Sequence, residues 1–239
     1  MSYGDRAEVH GNSGNMAVGG QGNRVGNITV NSSPPASPST NRAAGPAGRS
    51  HRLGFVVDVV SYGERSAPAQ ERIQGRLQSL LRGVVADVGA DFDEVDHDGG
   101  SGDGMVVFLP SGGDPTRLLP GLLRATAERL AEDNETYRDR VRLRMAVGSG
   151  LVGEGATGFS GPLVVNISRL VDSQPLRRAV ADNPDSDLVV LVLDALHREV
   201  VVPGYLAPRV AQFRLVDVAM KEFIEPAWLW VSTPGDQGR

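Results

Sequence analysis

An α+β fold built on a βαββαβ core is what this chain predicts, on three observations. Two long stretches carry apolar residues at helical spacing, four short runs around them are apolar and strand-like, and Gly- or Asp-rich turns separate the elements. In that order a right-handed crossover makes the first two strands parallel, and the hairpin lays the third antiparallel between them, giving a ferredoxin-like sheet.

The first strand is Leu53 to Val60, an apolar run short enough for a buried strand. From Gln70 to about Val88 apolar residues recur at Ile73, Leu77, Leu80, Leu81, Val84, Val85 and Val88, the first helix. A strand near Phe92 to Asp96, the turn His97 to Gly102 and the run Gly104 to Leu109 read as a hairpin. Asp114-Pro115 then caps and starts a helix that continues through Leu118, Leu119, Leu122, Leu123 and Leu130. Val141 to Val147 is the fourth strand. Additional C-terminal α/β elements follow: a helix near Val164 to Ser173, a strand Leu188 to Leu193 and a short helix Ala195 to Val200. A final hairpin pairs Gln212 to Val218 with Ala227 to Val231 and closes over Lys221 to Pro226.

A chain of 239 residues with 40% hydrophobic content can bury one substantial core, here assigned to residues 52–233. Residues 1–51 are dominated by Gly, Asn, Ser, Pro and Ala without helical period, and are expected to be a disordered segment and linker; 234–239 is expected to be a disordered tail. Cysteine is absent, which removes disulfides and thiolate metal sites. The N-terminus is polar and no apolar run approaches the roughly 20 residues of a membrane span, so a cytoplasmic protein without a membrane partner is expected. Residues 1–52 hold five arginines against Asp5 and Glu8, a net of +3, which leaves −8 on the rest of a chain of net charge −5. An acidic body argues against nucleic acid as a partner.

The predicted sheet sets the last residues of strand one beside the first of strand three, and so brings Asp58 to Asp103, in the turn Gly102-Asp103-Gly104. Two carboxylates at one sheet end suit a divalent cation, and a cation there suits phosphate chemistry. The acids Asp91, Asp93, Glu94, Asp96 and Asp98 lack the ligand spacing of a calcium loop and read as a solvated hairpin tip.

With these elements in place the chain resembles the class III nucleotidyl cyclases, the adenylate and guanylate cyclase catalytic domain, over about residues 53–232. Phe55-Val-Val-Asp58 looks like the family's first metal-binding aspartate, followed by a phosphate-cradling loop at Val59, Val60, Ser61 and Tyr62. Gly102-Asp103-Gly104-Met-Val-Val-Phe108 resembles the hairpin of the second aspartate, and Arg142-Leu-Arg144-Met-Ala-Val-Gly-Ser-Gly150 the next strand. Gly158-Phe-Ser-Gly161 through Asn166-Ile-Ser-Arg169-Leu170 is similar to the helix with the transition-state arginine, and Val216 to Lys221 with Glu225 to Trp230 to the closing hairpin. The resemblance implies Mg²⁺ or Mn²⁺, two per site, on Asp58 and Asp103; a catalytic Arg169 with Asn166; phosphate contacts from Arg144 and Lys221; and a head-to-tail homodimer acting on a nucleoside triphosphate.

Departures from the family pattern are specific. Glycine stands at both base-reading positions, Gly99 and Gly158, where no side chain can donate or accept a hydrogen bond. The ribose-positioning asparagine should stand four residues before the arginine; that position is Val165, and Asn166 is one residue late, about 100° away around a helix. Losing one positioning contact costs roughly 10²-fold in rate, which slows an enzyme without abolishing it. Two readings follow: a divergent cyclase forming a 3′,5′-cyclic nucleotide and pyrophosphate, or a degenerate nucleotide-binding or dimerisation module. In the second, residues 11–31, whose Gly-Asn pairs between short apolar stretches loosely resemble amyloid-type signalling motifs, would recruit signalling partners or self-assemble.

Overall fold

Alternation along the first strand decides the architecture: Leu53, Phe55, Val57 and Val59 enter one core with Ile73, Leu81, Leu122 and Leu123, while Val56 enters another with Leu163, Ile167 and Leu176. A strand that is apolar on both faces needs helices on both, and the computed structural model, which describes residues 48–99, 102–155, 158–207, 212–220 and 223–233, supplies them. The elements are β1 (Ser50–Val59), a 3-10 turn (Tyr62–Glu64), α1 (Ala67–Asp87), β2 (Asp96–Asp98), β3 (Gly104–Phe108), α2 (Pro115–Thr136) and β4 (Leu143–Gly155). They continue with β5 (Gly158–Ser160), α3 (Pro162–Val171), α4 (Gln174–Asp182), β6 (Leu188–Leu193), α5 (Asp194–Val200), β7 (Arg214–Met220) and β8 (Phe223–Val231).

The sheet order is β2-β3-β1-β4-β6-β8-β7, with β5 folded onto β4. Its first four strands are the expected βαββαβ core, β1 lying antiparallel between β3 and β4 and β2 antiparallel on β3. β6 runs parallel to β4, is buried along its whole length, and pairs antiparallel with β8, which carries β7 on its outer side. Helix α2 starts as expected: the Asp114 side chain accepts from the Thr116 amide at 2.9 Å, with Pro115 in the first turn.

Several elements differ from expectation. Phe92 to Val95 is a turn and not a strand, because the Asp91 carboxylate accepts from the Asp93 amide and the Asp91 carbonyl from Glu94 and Val95, so the backbone is satisfied locally. Strand β4 extends to Gly155, far past Val147, since its glycine-rich half still pairs with β1 and β5. Helix α4 was not expected at all. Strand β8 starts at Phe223, so Pro226 sits within a strand opposite Asp217 and not in a loop. β1 starts at Ser50, three residues before Leu53. Residues 1–47, including the 11–31 segment, residues 234–239 and Lys221 lie outside the described residues. Among those described, no helix is long and apolar enough to cross a membrane.

Candidate active site

The site begins as a row across three strands. Asp58, next to last in β1, faces Gly104 of β3 on one side and Arg144 of β4 on the other. Its neighbours Val57 and Val59 turn into the α1/α2 core, so the Asp58 carboxylate takes the opposite face, where Arg144 Nη2 donates to its Oδ2 at 2.9 Å. Both side chains are largely enclosed, at 15% and 18% exposure. Burial raises the Asp58 pKa above the ordinary carboxylate value, the Arg144 hydrogen bond and charge pull it down, and the charges of Asp103 and Asp172 push it up again.

Asp103 reaches the row through its turn. Gly102 takes φ +90°, in the left-handed region, and the Asp103 carbonyl accepts from the Val59 amide at 2.8 Å, clasping the end of β1. At Gly104 a Cβ would run into the Val57 carbonyl, so glycine there lets β3 lie close against β1.

Beyond β1 the chain folds over the acids. The Val59 and Val60 amides are spent on the carbonyls of Asp103 and Arg142, so these two residues supply wall and not phosphate donors; the amides of Ser61, Tyr62 and Gly63 donate to no carbonyl among the described residues. Ser61 is the one non-glycine residue with positive φ among those described, at 55°, a strain of about 1–2 kcal/mol stored in the loop. Tyr62 is tied to α1 through Gln74 Nε2 on its hydroxyl at 2.7 Å and Gln70 Nε2 on its carbonyl at 3.2 Å. Between this loop, the Asp58, Asp103 and Arg144 row, and Arg177 and Val180 of α4 lies a cleft of about 390 Å³.

Asp58, Asp103, Arg144, Val59, Val60, Ser61 and Tyr62 are thus gathered around one cleft. A second cavity of about 200 Å³ shares Asp58 and Asp103 and is walled by Met105, Val106, Asp98 and Ser168. Asn166 and Arg169 line neither; Arg169 is exposed in the last turn of α3 and Val165 is 45% exposed. Sequence reasoning missed Arg177. Its signal was present, since Ser173 followed by Pro175 and the spacing of Leu176, Ala179 and Val180 spell a capped amphipathic helix. Asp172, the C-cap of α3, accepts from Arg144 at 3.4 Å and Arg177 at 3.1 Å.

Among the described residues no group of three or more His, Asp or Glu converges as a metal cage. Two hard oxygen donors beside an open cleft nevertheless fit Mg²⁺, which commonly takes one or two carboxylates and completes its shell from water and substrate phosphates. Of the acids read from the sequence as a hairpin tip, Asp93 lies in the turn before β2 and is engaged by Arg82 at 2.8 Å, and Asp96 opens β2 and is engaged by Arg52.

No protein-family model and no curated protein sequence matches the chain. Solved structures do. The guanylyl cyclase Cya2 aligns with a TM-score of 0.54 at 15% identity, over 80% of this chain and 98% of that one. An adenylate/guanylate cyclase/hydrolase from Silicibacter pomeroyi gives 0.51 at 17% identity, over 79% and 99%. The guanylate cyclase domain of a protein from Catenaria anguillulae, solved with GTP, gives 0.52 at 14%, over 78% and 100%. The chain has the fold of the class III adenylyl and guanylyl cyclase catalytic domain.

Proposed function

We propose that this protein is a divergent nucleotidyl cyclase that converts a nucleoside triphosphate into a 3′,5′-cyclic nucleotide and pyrophosphate, with Mg²⁺ or Mn²⁺ held by Asp58 and Asp103. The observation that carries the reading is the placement of both aspartates and Arg144 on one cleft, beside a loop whose 61–63 amides donate to no carbonyl among the described residues. A divalent cation bound there would lower the charge on the triphosphate and the pKa of the attacking 3′-hydroxyl. The residues themselves do three things: the carboxylates fix the cation-bearing end of the substrate, the 61–63 amides meet phosphate oxygens, and Arg144 balances charge as pyrophosphate leaves. By the family resemblance Asn166 and Arg169 would serve the site of a second copy in a homodimer, and Arg169 stands exposed in the last turn of α3.

A second reading is a nucleotide-binding module without turnover. It draws on Gly99 and Gly158 at the base-reading positions, on the exposed Val165, and on Arg144 already neutralising Asp58. Incubating the protein with each of the four ribonucleoside triphosphates and Mn²⁺, with cyclic product read by mass spectrometry, separates the two. The enzyme reading expects product that disappears in Asp58→Ala and Asp103→Ala. Tight binding with no product from any triphosphate selects the module.

A further inference from the structure

Resting on the reading of this cleft as a triphosphate site, we infer that Arg177 of α4 is its second phosphate-binding cation, taking the end of the polyphosphate distant from Asp58. Four side chains form a chain of alternating charge, Asp58, Arg144, Asp172 and Arg177, of which Asp58, Arg144 and Arg177 line the cleft while Asp172 lines the second cavity. Arg177 lines the cleft and is anchored there twice by one residue, through Nη2 to Asp172 Oδ1 at 3.1 Å and through Nε to the Asp172 carbonyl at 3.2 Å.

A guanidinium carries five N–H donors in a rigid fork, and these two bonds spend two of them. Arg144 reaches both Asp58 and Asp172 through the same Nη2, and its buried Nε has no partner among the described residues. Two pre-placed forks with donors to spare are matched to an acceptor-rich anion that is longer than one phosphate. A bare surface pair between Arg177 and Asp172 would contribute little to folding, about 0–1 kcal/mol, so stability gives the arrangement scant reason to exist.

The test titrates inorganic phosphate, pyrophosphate and tripolyphosphate, each with Mg²⁺, into the full chain by calorimetry. The wild type is expected to bind tripolyphosphate at least tenfold more tightly than pyrophosphate. Arg177→Ala should erase that preference while leaving the melting temperature unchanged, and Arg177→Lys, which keeps the charge without the fork, should restore part of it. An arginine that only pairs with Asp172 on the surface would leave the chain-length preference in place when it is removed. If the wild type shows the preference and Arg177→Ala retains it, the inference about Arg177 is overturned while the cleft reading stands. If the wild type binds neither polyphosphate, both are overturned.

Discussion

Replacing Arg144 by Met tests the cleft's electrostatics directly. The substitution keeps most of the aliphatic stem and leaves the enclosed Asp58 carboxylate facing the charges of Asp103 and Asp172 with no counter-charge in contact. Breaking a buried pair by removing one partner costs about 3–5 kcal/mol, and an exposed pair about 0–1 kcal/mol. At 15% and 18% exposure this pair stands between those limits, so a loss of about 2 kcal/mol is expected, or about 4–8 °C in melting temperature for a domain of this size. Urea denaturation of Arg144→Met, Asp58→Asn and the double variant should give a coupling of about 1–2 kcal/mol, because neutralising Asp58 removes the penalty that the missing arginine creates. Millimolar Mg²⁺ or Mn²⁺ should then restore part of the stability of Arg144→Met, since a bound cation replaces the lost charge, and should do so less when Asp103 is also made Asn. A loss under about 0.5 kcal/mol, or singles that simply add, refutes the ion-pair argument; a loss that divalent cations leave untouched refutes the cation argument alone.

Two further outcomes follow from packing away from the cleft. His197 of α5 is 5% exposed, stacked on Trp228 with centroids 3.6 Å apart, and its Nδ1 has no partner among the described residues. Burial holds its pKa below the usual histidine value against the opposing charge of Asp194, so the unfolded chain binds the proton more readily; the neutral ring's contribution is complete above about pH 6.5 and declines below it. Urea midpoints at pH 8 and pH 5 should fall further in the wild type than in His197→Phe, and equal falls would remove the histidine from the account. Gly54→Ala places a methyl group against the Phe108 ring and 3.4 Å from Leu163 Cδ2, an overpacking of about 1–3 kcal/mol that Phe108→Leu should partly relieve. A Gly54→Ala protein as stable as the wild type would mean that this face of β1 is looser than the packing implies.

Much of this architecture is legible because its signals are local. The α1 stripe from Ile73 to Val85 is buried as its spacing requires, and Asp114-Pro115 starts α2 where a cap and a first-turn proline belong. The meeting of Asp58 and Asp103 was legible for a different reason: once the order βαββαβ is read, topology alone brings those chain positions together. The β4 extension was hidden because Gly148, Gly150, Gly153 and Gly155 carry no apolar pattern, although their backbones pair normally. At Phe92 and Val95 the opposite error operates, since two buried apolar residues in a charged run imitate a strand while the Asp91 turn holds the backbone.

The partners within the site were less legible than its members, and the reason is register. Arg144 alternates with apolar residues on its strand, which is equally the pattern of a solvated outer face and of a charge enclosed under a helix. What separates the two is the residue across the ladder: β4 sets Arg144 opposite Asp58, and α3 and α4 then cover that face, so the same periodicity ends as an enclosed pair. No apolar pattern around Arg144 encodes that alignment. It follows from where β1 ends and how far β4 continues, and the continuing half of β4 is the part whose glycines conceal it. Arg177 depends on the same chain of causes at one further remove, since α4 reaches the cleft only after β4 and β6 have paired in parallel and the connection between them has packed back onto the sheet. Asp58 and Asp103 can therefore be found by type and topology, whereas the pairing of Arg144 and the place of Arg177 become visible only when strand register is known.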